Sequence, residues 1–260
     1  MTADAPLGGA VAVVTGALGR LGPVWIAALA DAGATVVGID VLAEGAQAPA
    51  GCSALEAGDV TDRGSLDAVF KRLLAANDAP SVLVNNAGID QPPDAAARTH
   101  RIEDVPLEDF LGTLDVNLAG TFNAIQVFGP PMRDAGHGSI VNIGSLYASI
   151  APEPSFYDHI EADPPFLKPA AYGASKAGVI SLTRYFARLW GPHGVRVNAL
   201  SPGGVAGGQD DEFLRKYTAR VPLGRMADPS DLTAPLVFLA SDASRYVTGH
   251  ELRVDGGFTA

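Results

Sequence analysis

The chain has 260 residues, and its 18 Lys and Arg against 29 Asp and Glu give a formal net charge of −11. A surface this acidic repels polyphosphates and anionic headgroups, so we expect no nucleic-acid partner and no membrane-surface partner. Apolar residues make up 47% and charged residues 18% of the sequence. That composition supplies a large core and excludes a disordered or fibrous chain.

The only cysteine, Cys52, cannot form an internal disulfide, which indicates a reducing compartment, and we expect a cytoplasmic protein. No run of about 18 apolar residues is present, so no transmembrane helix is predicted. No Lys or Arg precedes Arg20, so the basic start of a signal peptide is not expected either.

Short β-branched runs alternate with longer Ala- and Leu-rich stretches along the chain. The predicted strands are Ala10–Thr15, Ala34–Asp40, Ser81–Asn85, Gly138–Gly144, Gly194–Ser201 and Glu251–Asp255. The predicted helices are Leu21–Ala32, Asp62–Ala76, Pro106–Asp134, Ala171–Trp190 and Pro229–Ser241. This alternation is typical of βαβ units. It predicts a single doubly wound α/β domain of Rossmann type over residues 1–260, with about seven mostly parallel strands and helices on both faces.

Two segments fit neither pattern, residues 90–104 and residues 149–169. The second is rich in proline and acidic residues and contains the aromatics Phe156, Tyr157 and Phe166. Long loops inside a compact domain are usually functional, although surface decoration is the alternative. We predict that residues 149–169 form an insertion beside the substrate.

The first strand is followed by a glycine-rich turn, Thr15–Gly22, with the sequence TGALGRLG. Glycines at such a turn let a phosphate approach the backbone N–H groups at the start of the next helix. A glycine cluster can also serve packing alone. The discriminating residue is Asp40, at the end of the second strand, whose carboxylate can accept from both adenosine ribose hydroxyls and repels a 2′-phosphate. The pair predicts a dinucleotide, NAD rather than NADP, although the Arg20 guanidinium can also hold a phosphate.

Polar and small residues follow two further strands. Asp59 can accept from an adenine amino group, and the small Ala87 and Gly88 leave room for a ribose. Both positions lie at predicted carboxyl ends of strands, where open α/β sheets bind ligands. The alternative for both is ordinary Asx and glycine turn chemistry.

Tyr172 and Lys176 are four residues apart at the start of a predicted helix, so they share one face. An ammonium beside a tyrosine lowers the phenol pKa from about 10 toward the range useful for acid–base catalysis. Ser145 ends the preceding strand, where its hydroxyl can hold a carbonyl. Asn117 lies within a predicted helix, an unfavourable place for a short amide unless it has a partner.

Taken in order, these motifs resemble the short-chain dehydrogenase/reductase family over nearly the whole chain. The matching pieces are Thr15–Gly22, Asp59-Val60, Asn85–Gly88, Asn117, Ser145, Tyr172 with Lys176, Pro202-Gly203 and Val247–Gly257. The resemblance implies that Tyr172 is the general acid/base and Ser145 a donor to the reacting oxygen. It implies that Lys176 holds the nicotinamide ribose and lowers the Tyr172 pKa, and that Asn117 anchors a water of the proton relay.

The same resemblance implies the binding residues. Those expected at the cofactor are Gly16, Gly19, Arg20, Leu21, Gly22, Asp40, Asp59, Val60, Asn86, Ala87, Gly88, Tyr172, Lys176, Pro202, Gly203 and Val205. Those expected at the substrate are Ser145, Tyr147, Tyr157, Tyr172 and Gly204. The long helices are expected to pair across a homodimer or homotetramer.

The sequence departs from the family pattern at three places. Arg20 stands where the family usually has glycine. The stretch from Val205 to Gln209 lacks the usual threonine, so backbone groups or Gln209 are left to anchor the nicotinamide amide. Ser145 and Tyr172 are 27 residues apart, about twice the usual spacing, because residues 149–169 intervene.

These observations predict an NAD-dependent oxidoreductase that interconverts a secondary alcohol and a ketone, on a sugar, polyol or other hydroxylated small molecule. One alternative is a 3-oxoacyl or simple ketone reductase that uses NADPH. Another is a non-catalytic NAD-sensing protein. The five histidines are scattered singly, so the spacing of a zinc site is missing and we expect no metal.

Overall fold

A computed structural model describes residues 5–76, 79–91 and 99–260. Within them one parallel sheet has the strand order β3-β2-β1-β4-β5-β6-β7. The strands β1 to β7 are Val11–Thr15, Thr35–Asp40, Cys52–Ala57, Val82–Asn85, Gly138–Ile143, Val195–Pro202 and Glu251–Val254. The predicted doubly wound, Rossmann-type fold is confirmed.

Helices connect the strands and cover both faces of the sheet. In chain order, α1 to α7 are Gly22–Asp31, Arg63–Ala75, Leu107–Leu114, Gly120–Ala135, Ala170–Trp190, Asp211–Thr218 and Thr233–Ala240. None of the helices in the described ranges combines the length and the hydrophobicity needed to cross a bilayer.

Two hydrophobic layers, one on each side of the sheet, follow from the alternation of side chains along the strands. In β1, Val13 packs with α2, α4 and α5, where Phe128 is fully buried. Its neighbours Ala12 and Val14 pack on the opposite face with α1 and α7, where Trp25 is fully buried. The strands are apolar at successive positions because both faces are covered.

The sheet order changes direction at β1, which lies between β2 and β4. Ligands of open α/β sheets bind in the crevice at such a switch point, outside the carboxyl ends of the strands. The turn from β1 to α1 lies at this edge. Gly22 is required there because a Cβ would stand 2.4 Å from the Gly16 carbonyl oxygen.

Most predicted element boundaries fall within one or two residues of those observed. The predicted helix over residues 106–134 consists of α3 and α4 joined by a π-helical turn, Asp115–Ala119. The predicted helix over residues 229–241 starts as a 3₁₀ turn, Pro229–Leu232, and continues as α7. No element was predicted for α6. It is a short amphipathic helix that begins where the Asp210 carboxylate accepts from the Phe213 N–H.

Residues 149–169 are packed against α6. A third hydrophobic cluster joins Phe156, Tyr157 and Phe166 of this insertion to Phe213 and Tyr217 of α6. All five side chains are buried, so the three aromatic residues of the insertion belong to a packed cluster and not to surface decoration. The other irregular segment, residues 90–104, falls partly outside the described residues, which exclude 92–98.

Candidate active site

The β1–α1 turn is tied to the end of β2. The Leu18 N–H donates to Asp40 Oδ2 at 2.9 Å, and the Leu42 N–H donates to Asp40 Oδ1 at 3.0 Å. Asp40 is 9% exposed, so these two bonds hold its carboxylate in a fixed orientation. An acidic acceptor therefore stands at the β2 end of the crevice, where the sequence placed it.

Asn86 braces the same turn from the β4 side. Its Nδ2 donates to the Gly16 carbonyl at 2.9 Å and to the Thr15 carbonyl at 3.2 Å. Its Oδ1 accepts from Trp25 Nε1 at 2.7 Å. Because the amide is occupied by these contacts, Asn86 shapes the cofactor crevice rather than pointing an amide into it. Thr15 of the predicted turn belongs to this brace, and so does Trp25, which no sequence pattern indicated.

Asp59 and Val60 lie beyond β3. The Asp59 Oδ1 accepts from both the N–H and the hydroxyl of Thr61 at 2.8 Å, which is the Asx turn considered as the alternative role. Val60 is buried against Gly120, where a Cβ would stand 2.6 Å from a Val60 methyl. The fold therefore uses both residues to shape the rim of the crevice.

Asn117 lies in the π-helical turn and is fully buried. Its Oδ1 accepts from the Ile89 N–H at 2.7 Å, and its Nδ2 donates to the Ile89 carbonyl at 3.0 Å and to Ser175 Oγ at 3.1 Å. These are the partners that a short amide inside a helix requires. They join the β4 end to α5, and a Cβ on Gly88 would stand 3.2 Å from Asn117 Oδ1.

Ser145, Tyr172 and Lys176 meet at the carboxyl end of β5. Lys176 Nζ donates to the Ile143 carbonyl at 2.8 Å and lies 5.8 Å from the centre of the Tyr172 ring. Ser145 and Lys176 are 7% and 6% exposed. A phenol, a hydroxyl and an ammonium that converge at a crevice can hold an alcohol oxygen and move its proton.

The pKa values of this cluster are set by burial. Burial raises the pKa of Tyr172 above its usual value, the Asp90 carboxylate raises it further, and a hydrogen bond to Ser145 acts in the opposite direction. Burial lowers the pKa of Lys176 to about 8. The expected lowering of the Tyr172 pKa by Lys176 is therefore wrong for this structure. The reason is that burial disfavours charge on both side chains.

A second lysine lies beside the phenol, which no sequence motif indicated. Lys168, from the insertion, places Nζ 5.5 Å from the centre of the Tyr172 ring and pairs with Asp90. Its side chain is 8% exposed. The pair fastens the insertion to the loop after β4 and places charge against the reacting group.

The wall opposite α5 is aromatic and bears hydroxyls. The Tyr147 ring meets the Tyr172 ring edge-on, 6.4 Å between centres, and the Tyr147 and Tyr157 hydroxyls are 3.5 Å apart. Tyr172, Lys168 and Asp90 line a cavity of about 580 Å³, and Tyr147 and Tyr157 line a second cavity that shares Lys168 with it. Tyr157 is only 5% exposed, so its ring belongs mainly to the core of the insertion.

The loop after β6 closes the far side of the crevice. The Gly203 N–H donates to the Val254 carbonyl at 2.9 Å, and the Gly204 N–H donates to the Tyr217 hydroxyl at 2.6 Å. Gly204 therefore packs on Tyr217 instead of offering its N–H to a substrate. Gln209 Nε2 donates to the Val205 carbonyl at 2.9 Å, so the Gln209 amide stabilises the loop.

The residues present fit a dinucleotide. The crevice has a glycine turn at the start of α1, a fixed carboxylate at the β2 end and small residues, Ala87 and Gly88, after β4. Among the residues that the structure describes, no three His, Cys, Asp or Glu side chains converge to hold a metal ion.

Replacing Asp90 with Asn is expected to shift the pH dependence of alcohol oxidation to lower pH. The Asp90 charge opposes ionisation of Tyr172, so its removal lowers the Tyr172 pKa, and the unpaired Lys168 ammonium acts in the same direction. The measurement is kcat/KM between about pH 6 and 11. Asp67→Asn, an exposed change on α2, is the control. An unchanged pH profile in the Asp90 variant would contradict the expected effect of the Asp90 charge on the Tyr172 pKa.

Comparison with known proteins gives consistent results. A family model described as enoyl-(acyl carrier protein) reductase matches residues 21–259. A D-threitol dehydrogenase from Mycolicibacterium smegmatis is 36% identical, over 98% of this chain and 95% of its own. A short-chain dehydrogenase from Leptospira borgpetersenii, solved with bound NAD+, superposes with a TM-score of 0.85 at 32% identity, over 98% of this chain and 94% of that chain.

A gluconate 5-dehydrogenase from Burkholderia cenocepacia, solved with NADP and tartrate, superposes with a TM-score of 0.81 at 30% identity, over 98% of this chain and 97% of that chain. Both solved structures match almost end to end, and the residues matched by the family model include Asp40, the cluster of Ser145, Tyr172 and Lys176, and the last strand. The chain belongs to the short-chain dehydrogenase/reductase family of oxidoreductases.

Proposed function

We propose that this protein is an NAD-dependent dehydrogenase that interconverts a secondary alcohol and a ketone on a polyol or sugar-derived substrate. The observation that carries the proposal is the convergence of Ser145, Tyr172 and Lys176 beside a crevice that has Asp40 at its other end. The presence of all three catalytic side chains argues against a non-catalytic NAD sensor.

Tyr172 removes the hydroxyl proton in the alcohol-to-ketone direction and returns it in the reverse direction. Ser145 donates to the substrate oxygen and holds it against the phenol. The nicotinamide, when bound, supplies the hydride acceptor. Lys176 holds the nicotinamide ribose with the ammonium hydrogens that Ile143 leaves free. Asn117 holds the loop after β4 at a fixed position relative to helix α5. A water of the proton relay is proposed to bind at this position.

The substrate class is supported by the side chains around Tyr172. Polyhydroxylated molecules present several donors and acceptors, and here they meet two tyrosine hydroxyls, Tyr147 and Tyr157, and the charged pair Asp90 and Lys168. Aromatic rings additionally pack on the C–H faces of such molecules. The similar proteins named as D-threitol and gluconate 5-dehydrogenases act on substrates of this kind.

NAD is favoured over NADP by the fixed Asp40 carboxylate, which repels a 2′-phosphate. Solved family members hold either cofactor, so this preference rests on Asp40 alone. The other residues that the sequence predicts at the cofactor and the substrate are proposed in those roles, with Asn86, Val60 and Gly204 acting through the shape of the crevice.

The chain is proposed to work as one dinucleotide-binding domain, with residues 149–169 as its substrate-side insertion, in the cytoplasm. A homodimer or homotetramer is supported by large apolar side chains left exposed on α3 and α5. Leu111 is 52% exposed, Tyr185 62% and Leu189 49%. A second copy of the chain is the partner expected to cover them.

The test of this function is a substrate panel with NAD and NADP, followed by NADH or NADPH absorbance. We expect oxidation of four- to six-carbon polyols with NAD, at a kcat/KM about tenfold or more above that with NADP, from the cost of placing a 2′-phosphate beside a carboxylate. Simple secondary alcohols are expected to react more slowly. Faster reduction of a 3-oxoacyl thioester with NADPH would overturn the proposal in favour of the reductase alternative.

A further inference from the structure

Arg20 links the two loops that border the cofactor crevice. It lies in the β1–α1 turn, and its Nη2 donates to the Val205 carbonyl, beyond β6, at 2.8 Å. The guanidinium also lies against Gly207, where a Cβ would stand 2.2 Å from Nη2. The Val205 loop is held independently by the Gln209 amide and by pairing between Val205 and Ala227. The arginine thus reaches across the crevice to a fixed support.

The direction of the Arg20 side chain shows which phosphate it can reach, the 2′-phosphate of NADP or the pyrophosphate that both cofactors contain. The strand order places β2, with Asp40, on one side of β1 and places β4, β5 and β6 on the other. Arg20 extends toward β6 and therefore away from the end that holds the adenosine ribose. A guanidinium directed this way does not meet a 2′-phosphate.

The charge on Arg20 favours an anion at the start of α1. Arg20 lies two residues before Gly22, where α1 begins, and this ten-residue helix has no acidic residue in its first turn, so Arg20 adds positive charge near the positive end of the helix dipole. An anion between the guanidinium and the first N–H groups of α1 would be attracted by both. Among hydrogen bonds of the described residues, Val205 accepts the only one that Arg20 donates, so further N–H groups are available.

We propose that the Arg20 guanidinium binds the cofactor pyrophosphate. The hydrogen bond from Arg20 to Val205 holds the guanidinium over the crevice, and we call this arrangement a pyrophosphate clasp. The guanidinium fork matches phosphate oxygens, and the phosphates are the only anionic groups the two cofactors share. Because the contact to Val205 is exposed, it is easily broken for cofactor entry and exit. This proposal depends on the proposed binding of a dinucleotide, and it does not depend on the substrate being a polyol.

The test compares dissociation constants of NADH and NADPH, measured by calorimetry, for the wild type and Arg20→Ala. We expect both constants to rise about tenfold and by the same factor, the loss of one charge-assisted contact. ADP-ribose is expected to lose the same factor, whereas adenosine, which lacks phosphate, is not. Asp40→Asn is expected to change the ratio of the two constants instead. Arg133→Ala, at the opposite edge of the sheet, is the control with the same change in charge.

A second variant separates the clasp from charge alone. Gly207→Ala keeps Arg20 but places a methyl group where the guanidinium lies, so NADH dissociation in stopped-flow measurements should become faster than in the wild type. Unchanged constants for both cofactors in Arg20→Ala would overturn the proposal, because Arg20 would then only connect loops. A loss confined to NADPH would overturn it too, in favour of a 2′-phosphate ligand. Neither outcome depends on which alcohol the enzyme oxidises.

Discussion

Replacing Tyr172 with Phe is expected to reduce polyol turnover by about a thousandfold, within the range for removal of a general acid–base group. The phenol is the group in the cluster that can take the hydroxyl proton, because a serine hydroxyl is a poor base and an ammonium such as that of Lys176 has no lone pair to accept a proton. The dissociation constant of NADH should stay within about twofold, since the ring and its packing against Tyr147 are retained. Steady-state kinetics and calorimetry on the same preparation provide both measurements.

Tyr185→Phe is the matched control, because Tyr185 lies on the same helix, is 62% exposed and keeps in this variant the ring that is proposed to contact a second copy. It should leave turnover unchanged. Near-wild-type turnover in the Tyr172 variant would remove Tyr172 from the mechanism. Loss of both turnover and NADH binding would instead show that the hydroxyl supports the structure of the crevice, which also contradicts the assigned role.

The parts of the fold that the sequence predicted are those encoded by neighbouring residues. Strands buried on both faces read as continuous β-branched runs, and Asp62 marks the start of α2 because its carboxylate accepts from the Gly64 N–H. Helix α6 was missed because eight residues give little periodic signal, and its buried face exists only once Phe156 packs on it. The π-helical turn likewise needs the partners of Asn117, which come from other elements.

The residues of the site also fall into those that local sequence patterns predict and those that they do not. The glycine turn, Asp40 and the Tyr172–Lys176 pair are local patterns, and the structure places each at the crevice. The contact of Trp25 with Asn86 spans 61 residues and that of Lys168 with Asp90 spans 78, so neither could be predicted from local patterns. The Tyr172 pKa was predicted in the wrong direction because a helical spacing reports which groups are adjacent but not how deeply they are buried.

Phe156 is the residue on which attachment of the insertion depends most. It is 3% exposed, and its ring lies 5.7 Å from that of Tyr217 and 6.2 Å from those of Phe213 and Phe258, centre to centre. Its neighbours come from α6 and from the chain end, so the ring joins three segments distant in sequence. Two ion pairs, Lys216 with Asp158 and Arg220 with Glu153, lie at the same contact. At least one side chain of each pair is largely exposed, so the pairs contribute little to its stability.

Replacing Phe156 with Ala is therefore expected to cost about 3–5 kcal/mol at this contact, the usual range for a buried phenylalanine. Hydrogen exchange of residues 149–169 and 211–218 should accelerate first, because the loss falls on a unit outside the two main layers of the core. Since the insertion holds Lys168 beside Tyr172, the KM for polyol should rise about tenfold or more, while the dissociation constant of NADH changes less than twofold.

Glu161→Ala, an exposed change in the same segment, should alter neither the exchange rates nor the polyol KM. If exchange accelerates while the polyol KM stays unchanged, the insertion is a structural support for α6 and has no part in substrate binding.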